Sequence, residues 1–233
     1  MEQYIIGHRG AAGLAPENTL KAFRIGCENG ADLVECDIHL NKDKELVVIH
    51  DNTLERTTNG KGWVRDFTLK ELQSFDAGQG EKISTLTEVF DLVSSYKKKL
   101  VIEIKGESWE IAQETTKKLV EFIKSRDILA HIRVVSFWHQ AITNIKTIFP
   151  TLKTEVIMMI GLPPEELISL ILRSNADGGA IRYDYISPQL ISLAKNNNLF
   201  IAAWVMNDED SFNYMKSLGV NGLTTDLPGR FKL

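Results

Sequence analysis

The sequence predicts an α/β fold: a (β/α)8 TIM barrel with a small insertion after its second strand. Three observations carry this. Short β-rich runs alternate with longer helical patterns along the whole chain, which argues for a parallel sheet. Eight such strands can be counted, and each of the first seven is followed by a helix. The length of 233 residues suits one barrel, a fold that commonly takes about 200–250 residues. An open doubly wound sheet is the second architecture consistent with the alternation. No repeat, low-complexity tract or Pro/Gly/Ser linker divides the chain, so residues 1–233 are expected to form one domain.

The elements follow in order. Tyr4–Gly7 is a short apolar strand. Thr19–Asn29 has helical spacing at Leu20, Phe23 and Cys27, and Gly30 is placed to stop it. Leu33–Leu40 is the second strand, with Leu46–His50 as its expected extension. Residues 51 to about 85 break the rhythm and carry the turn-rich run Thr57-Thr58-Asn59-Gly60-Lys61-Gly62. A segment this long is usually functional or holds a small substructure. Helix Leu86–Ser95, strand Leu100–Lys105 and the amphipathic helix Trp109–Ser125 come next. Strands Arg133–Phe137, Lys153–Met158, Gly179–Arg182, Phe200–Val205 and Gly222–Thr224 then alternate with helices His139–Ile148, Pro163–Arg173, Pro188–Asn196 and Glu209–Ser217. Pro163 and Pro164 suit a first helical turn.

Composition narrows the class. An apolar fraction of 43% and a charged fraction of 25% are ordinary for a globular protein and argue against disorder. A net charge of −4 argues against a general nucleic-acid binder. The two cysteines, Cys27 and Cys36, make no disulfide framework and fit a reducing compartment. Residues 1–7 lack the features of a secretory leader. The longest apolar run, Leu199–Met206, is far short of the roughly 20 residues of a membrane span. The expectation is a cytoplasmic protein without stable membrane insertion. Nothing in the sequence indicates its oligomeric state.

Polar residues cluster towards the C-terminal ends of the strands, where barrel active sites are built. His8 and Arg9 follow the first strand. Glu35 and Asp37 are two apart on the second and share one face. Glu103 and Lys105 share a face of the third. Three carboxylates aimed into one mouth would repel unless a cation joins them, and hard oxygen donors favour Mg2+ or Ca2+ over zinc. Solvated strand-end charges, or a simple Glu103–Lys105 pair, are the plainer readings. His8 and His50 are the natural proton-transfer pair. Arg9 and Lys105 can hold an anion, with arginine offering a fork to phosphate; ordinary surface charge is the alternative.

At these residues the sequence resembles the glycerophosphodiester phosphodiesterase family. The match runs through His8-Arg9-Gly10, Pro16-Glu17-Asn18-Thr19, Glu35-Cys36-Asp37, His50-Asp51 and Leu54-Glu55-Arg56-Thr57-Thr58-Asn59-Gly60. It continues through Glu103-Ile104-Lys105, Ser136-Phe137, Trp204-Val205-Met206-Asn207 and Thr225-Asp226-Leu227-Pro228. Each motif is weak alone; the ordered set is specific and covers essentially the whole chain.

The resemblance implies metal-dependent hydrolysis of a small glycerophosphodiester to sn-glycerol 3-phosphate and an alcohol. It implies a divalent metal ion, Mg2+ or Ca2+, on Glu35, Asp37 and Glu103. His8 and His50 are implied as general acid and base, and Arg9 and Lys105 as phosphate ligands. Trp204 and Glu155 are candidates to line the substrate, with Arg182 and Tyr183 as weaker ones. Lysophospholipase D-type hydrolysis of acylated substrates, or a phosphate- and metal-binding barrel without catalysis, are the alternatives.

Ser84 stands where the family often has proline, which affects a turn. His39 shares the face of Asp37 and is a weak candidate for the site. Cys36 is expected to face away from it, and His131 and His139 to lie outside it. Phe67, Phe75 and Trp63 are expected to form the core of the insertion, with Trp63 undecided.

Overall fold

In a computed structural model, which describes residues 2–233, eight parallel strands close into a barrel. Met1, part of the stretch read for a leader, lies outside the described residues. The barrel strands are β1 (Tyr4–Gly7), β2 (Leu33–Leu40), β5 (Lys99–Ile104), β6 (Ile132–Ser136), β7 (Lys153–Met158), β8 (Gly178–Arg182), β9 (Phe200–Trp204) and β10 (Gly222–Thr225). Closure is visible in β1, which pairs in parallel with both β10 and β2. An open sheet would leave two edges; this one has none among the barrel strands.

The helices α1 (Leu20–Glu28), α3 (Leu86–Ser95), α4 (Trp109–Lys124), α5 (His139–Ile148), α6 (Pro164–Arg173), α7 (Pro188–Asn196) and α8 (Glu209–Leu218) cover the barrel. Their starts are written in the sequence. Thr19, Ser108, Ser187 and Asp208 each accept a backbone N–H from the first turn, and Thr85 forms a reciprocal box with Glu88. After β10 the chain makes turns, and Phe231 stacks on Phe212 at 4.4 Å.

One strand corrects the sequence reading. Leu46–His50 does not extend β2. Residues 46–48 form β3, which runs antiparallel to β2, with Leu46 opposite Leu40 and Val48 opposite Ile38. The reversal is made at residues 41–45, where the Asn41 side chain accepts the Glu45 N–H and Lys44 takes φ +61°. β2 therefore projects above the barrel, and β3 brings His50 back down to the level of Asp37. Ile49 N–H donates to the Asp37 carbonyl at 3.1 Å.

Beyond β3 the insertion contains a 3-10 turn at Val64–Asp66, the short helix α2 (Leu69–Leu72) and β4 (Ser84–Thr85), which pairs with β3. Ser84 lies in that pairing opposite Val48, as a residue with its N–H intact can. Leu54, Val64 and Leu72 are buried in the core of the insertion, and Phe67 and Phe75 pack against that core and edge to face with each other.

Strand alternation sorts the rest. Val34, Cys36, Ile38, Leu100, Ile102 and Ile104 point outward into the helix layer. The opposite face of the same strands lines the barrel interior with Leu33, Val101, Val135, Ile157, Ala180 and Ala202.

Candidate active site

The loop after β1 sets one wall of the mouth. Gly10 takes φ +86°, and a Cβ there would lie 2.6 Å from the backbone of Ala22 and Phe23, so only glycine lets the loop sit against α1. Arg9 beside it also takes a positive φ, +48°. Its backbone N–H donates to Glu35 Oε2 at 2.9 Å, Nη1 donates to Glu17 Oε1 at 2.7 Å, and Nε lies 3.4 Å from Asp37 Oδ2.

Glu35 and Asp37 face inward because Cys36 between them faces the helices. Asp37 and Glu103 are register partners across β2 and β5. Lys105 reaches both, at 2.7 Å from Glu103 Oε1 and 3.2 Å from Asp37 Oδ1. Asn18 donates to Asp37 Oδ2 at 2.8 Å. One oxygen each from Glu35, Asp37 and Glu103 lies within 4.8 Å of the others.

Burial opposes ionisation of Asp37, but Lys105 and Arg9 overcome it and hold the carboxyl below its ordinary range. Glu35 is raised, by burial first and then by Asp37 and Glu103. Glu103 is also raised by burial, to about 7, despite Lys105. The carboxylates and hydrogen bonds around Arg9 and Lys105 outweigh burial and keep both cations strongly protonated. At 15% and 14% side-chain exposure these two are not solvated surface charges.

The Glu103–Lys105 pairing considered from the sequence is present, yet it leaves the site short of cations. Three carboxylates face Arg9 and Lys105, and Glu35 Oε1 is buried without a hydrogen-bond partner. An orphaned carboxylate oxygen among hard oxygen donors fits a divalent cation.

Each site histidine is held through Nδ1. His8 meets Asp226 Oδ1 at 2.7 Å, and Asn207 donates to Asp226 Oδ2 at 2.6 Å. His50 meets Asp51 Oδ1 at 2.6 Å. A carboxylate at Nδ1 fixes the ring and leaves Nε2 for a ligand. Burial lowers the pKa of His50 against the pull of Asp37 and Asp51. Asp51 is lowered to about 2, chiefly by its hydrogen bond from Arg56.

His8, His50, Arg9, Lys105, Glu35 and Glu103 line one cavity of about 370 Å³. A depression of about 440 Å³ shares His50, Glu103 and Lys105 with it and is bounded by Trp63, Phe137 and Trp138. Trp63 is thus an exposed wall of the mouth, with Arg65 over its ring, while Phe67 and Phe75 belong to the core of the insertion.

Trp204 ends β9, lines the cavity and keeps its Nε1 buried without a partner. Glu155 lies deeper. It is the third residue of β7, and Arg133 on β6 binds its carboxylate. Arg182 and Tyr183 do not line the cavity, and Arg182 pairs with Asp184 at 2.9 Å. His39 is buried beside the mouth, with Nε2 3.1 Å from the His50 carbonyl. Cys36 faces the helix layer, and His139 is bound at Nε2 to the Ile157 carbonyl.

Asp226, Asn207, Glu17, Asn18 and Arg56 hold the site together and had no predicted role. All stood within motifs of the resemblance. Their function is invisible in spacing, since His8 and Asp226 are 218 residues apart.

Buried oxygen donors, two cations and two oriented histidines at a barrel mouth define a protein equipped for a small phosphorylated molecule. The comparisons agree. The model of the glycerophosphoryl diester phosphodiesterase family matches residues 8–230. A glycerophosphodiester phosphodiesterase of Caldanaerobacter subterraneus subsp. tengcongensis is 37% identical, with 98% of this chain and 96% of that protein covered. One from Bacillus altitudinis is 30% identical, with 97% and 95% covered. An Oleispira antarctica phosphodiesterase, solved in complex with the product sn-glycerol-3-phosphate, superposes with a TM-score of 0.89 at 27% identity, covering 98% of this chain and 95% of that one. The chain belongs to the glycerophosphoryl diester phosphodiesterase family.

Proposed function

We propose that the protein hydrolyses glycerophosphodiesters to sn-glycerol 3-phosphate and an alcohol. One observation carries this reading. Both oriented histidines, both buried cations and two of the clustered carboxylates line the same cavity. The Oleispira relative supports the substrate class, since the product in its complex is sn-glycerol-3-phosphate.

Glu35, Asp37 and Glu103 would hold the divalent ion, Mg2+ or Ca2+. When bound it supplies Lewis-acid stabilisation of charge on the phosphoryl oxygens. Arg9 and Lys105 bind the diester anion and oppose the charge that builds up on it, the type of effect that is usually the largest in catalysis. One histidine accepts at Nε2 the proton of the attacking hydroxyl as the new O–P bond forms. The other donates its Nε2 proton to the departing alcohol oxygen as the old P–O bond breaks. Where the attacking hydroxyl is the substrate's own glycerol and not water, the product is a cyclic phosphate, which a water then opens with the two proton transfers reversed. Asp226 and Asp51 hold the two rings in place through these transfers. Trp204 lines the wall, with Glu155 at the deep end.

Acylated glycerophosphodiesters are a second reading, and the rim favours it. Phe137 and Met159 line the cavity while remaining 46% and 56% exposed, and Ile160 follows Met159 with 50% exposed. An acyl chain would rest on this exposed apolar rim.

The test is release of glycerol 3-phosphate from glycerophosphocholine by pure protein. It is run after chelation and again with Mg2+, Ca2+ or Mn2+ restored, with lysophosphatidylcholine assayed in parallel. Metal-restored release that vanishes in His50→Ala supports the reaction. No release from glycerophosphocholine, with release of choline from the acylated substrate, supports the second reading. No reaction with either refutes both.

A further inference from the structure

We propose that Arg56 is a positioning residue that couples the acid–base half of the site to its phosphate-binding half. The proposal rests on the roles given above to His50 and Arg9. Arg56 touches neither of them. It grips the carboxylate behind each.

The geometry is a double fork. Nε and Nη2 of Arg56 reach the two oxygens of Asp51 at 2.6 and 3.0 Å. Nη1 and Nη2 reach the two oxygens of Glu17 at 2.8 and 2.7 Å. Asp51 Oδ1 also holds His50 Nδ1, and Glu17 Oε1 also accepts from Arg9 Nη1. The path His50–Asp51–Arg56–Glu17–Arg9 is therefore unbroken. It crosses from the insertion to the loop after β1, and Arg56 is its middle link. Both oxygens of each carboxylate are engaged, so neither carboxylate can turn without breaking a fork. Only a planar guanidinium presents two edges at once; a lysine ammonium is a single point.

A plain surface ion pair would have a different signature. The Arg56 side chain is 47% exposed, and exposed pairs add little to stability. The insertion rests on Leu54, Val64 and Leu72, all buried. Loss of Arg56 should therefore leave the fold standing while loosening both halves of the site.

The test compares kcat and KM for glycerophosphocholine in Asp51→Asn, Glu17→Gln, Arg56→Gln and Arg56→Lys, with thermal melts of each. Asp51→Asn should act mainly on kcat, through His50. Glu17→Gln should act mainly on KM, through Arg9. Arg56→Gln should worsen both, by roughly 10–100-fold in kcat/KM as for other supporting partners of a site, with little change in Tm. Arg56→Lys should recover part of the loss. Added guanidinium should raise the activity of Arg56→Ala, because the exposed side chain leaves an accessible gap, while equal sodium chloride should not.

Unchanged kcat and KM in Arg56→Gln, a change in only one of them, full activity in Arg56→Lys, or an effect matched by a collapse in Tm would each overturn the proposal. Inactive wild-type protein would refute the proposed reaction instead. Binding of sn-glycerol 3-phosphate, read by calorimetry, then decides the positioning role: weaker binding in Arg56→Gln upholds the link to Arg9, and equal binding refutes it.

Discussion

Exchanging proton for metal at the carboxylate cluster tests the site without any assay of turnover. Burial pushes Glu35 up, and Glu103 up from 4.5 to about 7. A carboxyl raised in the folded state holds its proton more tightly there than in the unfolded chain. Its contribution is complete below about 4.5 and lost as pH rises through about 7. For Glu103 alone that difference amounts to roughly 3 kcal/mol. Metal-free protein should therefore weaken between pH 5 and pH 8, and a divalent ion should restore what the lost protons supplied. An ion at about 100 times its Kd adds about 2.7 kcal/mol. In a chain of 233 residues that raises Tm by roughly 5–10 °C. Melts in chelator and in Mg2+ or Ca2+, at pH 5 and pH 8, read this directly. The shift should be large at pH 8, smaller at pH 5 where protons compete, and mostly lost in Glu35→Gln. No shift at pH 8, equal shifts at both pH values, or an undiminished shift in Glu35→Gln would refute the metal assignment.

Three further outcomes are expected. His8→Ala and His50→Ala should each lower kcat by roughly 10²–10⁴-fold with near-normal melts, and near wild-type kcat in both would sink the acid–base pair. Burial lowers the pKa of His39, so below about 6.5 the unfolded chain binds a proton that the folded one refuses. The His39 contribution to stability falls as pH drops through that value, opposing that of the carboxyls over the same range, so urea melts of metal-free His39→Gln should lose stability from pH 5 to pH 8 more steeply than wild type. Leu54→Ala should lose about 2–5 kcal/mol by opening a cavity under the insertion, a loss measurable by urea denaturation.

The barrel was legible because strand and helix impose different periods and the alternation repeats many times. The carboxylate cluster was legible for a related reason. Period-two alternation puts Glu35 with Asp37, and Glu103 with Lys105, whatever the loops do. The direction of β3 was not legible. Leu46–Ile49 is an apolar run, and such a run reads the same whether it continues a strand or returns beside it. Only the turn at Asn41–Glu45 decides, and its Lys44 takes a positive φ that lysine does not advertise. The partners of the histidines were hidden differently. Asp51 adjoins His50 in sequence, but Asp226 reaches His8 only because β10 pairs with β1 as the barrel closes. The depth of Glu155 was hidden too, since its partner Arg133 lies on the neighbouring strand.

Two buried glutamates show how a paired carboxylate differs from an unpaired one in this barrel. Both Glu155 and Glu35 face the interior, at 2% and 7% exposure. Burial raises the pKa of both. Glu155 has its own cation, Arg133, which is held in turn 4.1 Å from the ring of Phe200. That pair is complete and asks for nothing more. Glu35 has the backbone N–H of Arg9 at one oxygen and no partner at the other, while two more carboxylates crowd it. The nearby cations are already committed to Asp37, Glu103 and Glu17. A buried carboxyl in that position must take up a proton or a metal ion. Left unpaired, Glu35 lines the same cavity as both histidines, where with Asp37 and Glu103 it would hold a divalent ion.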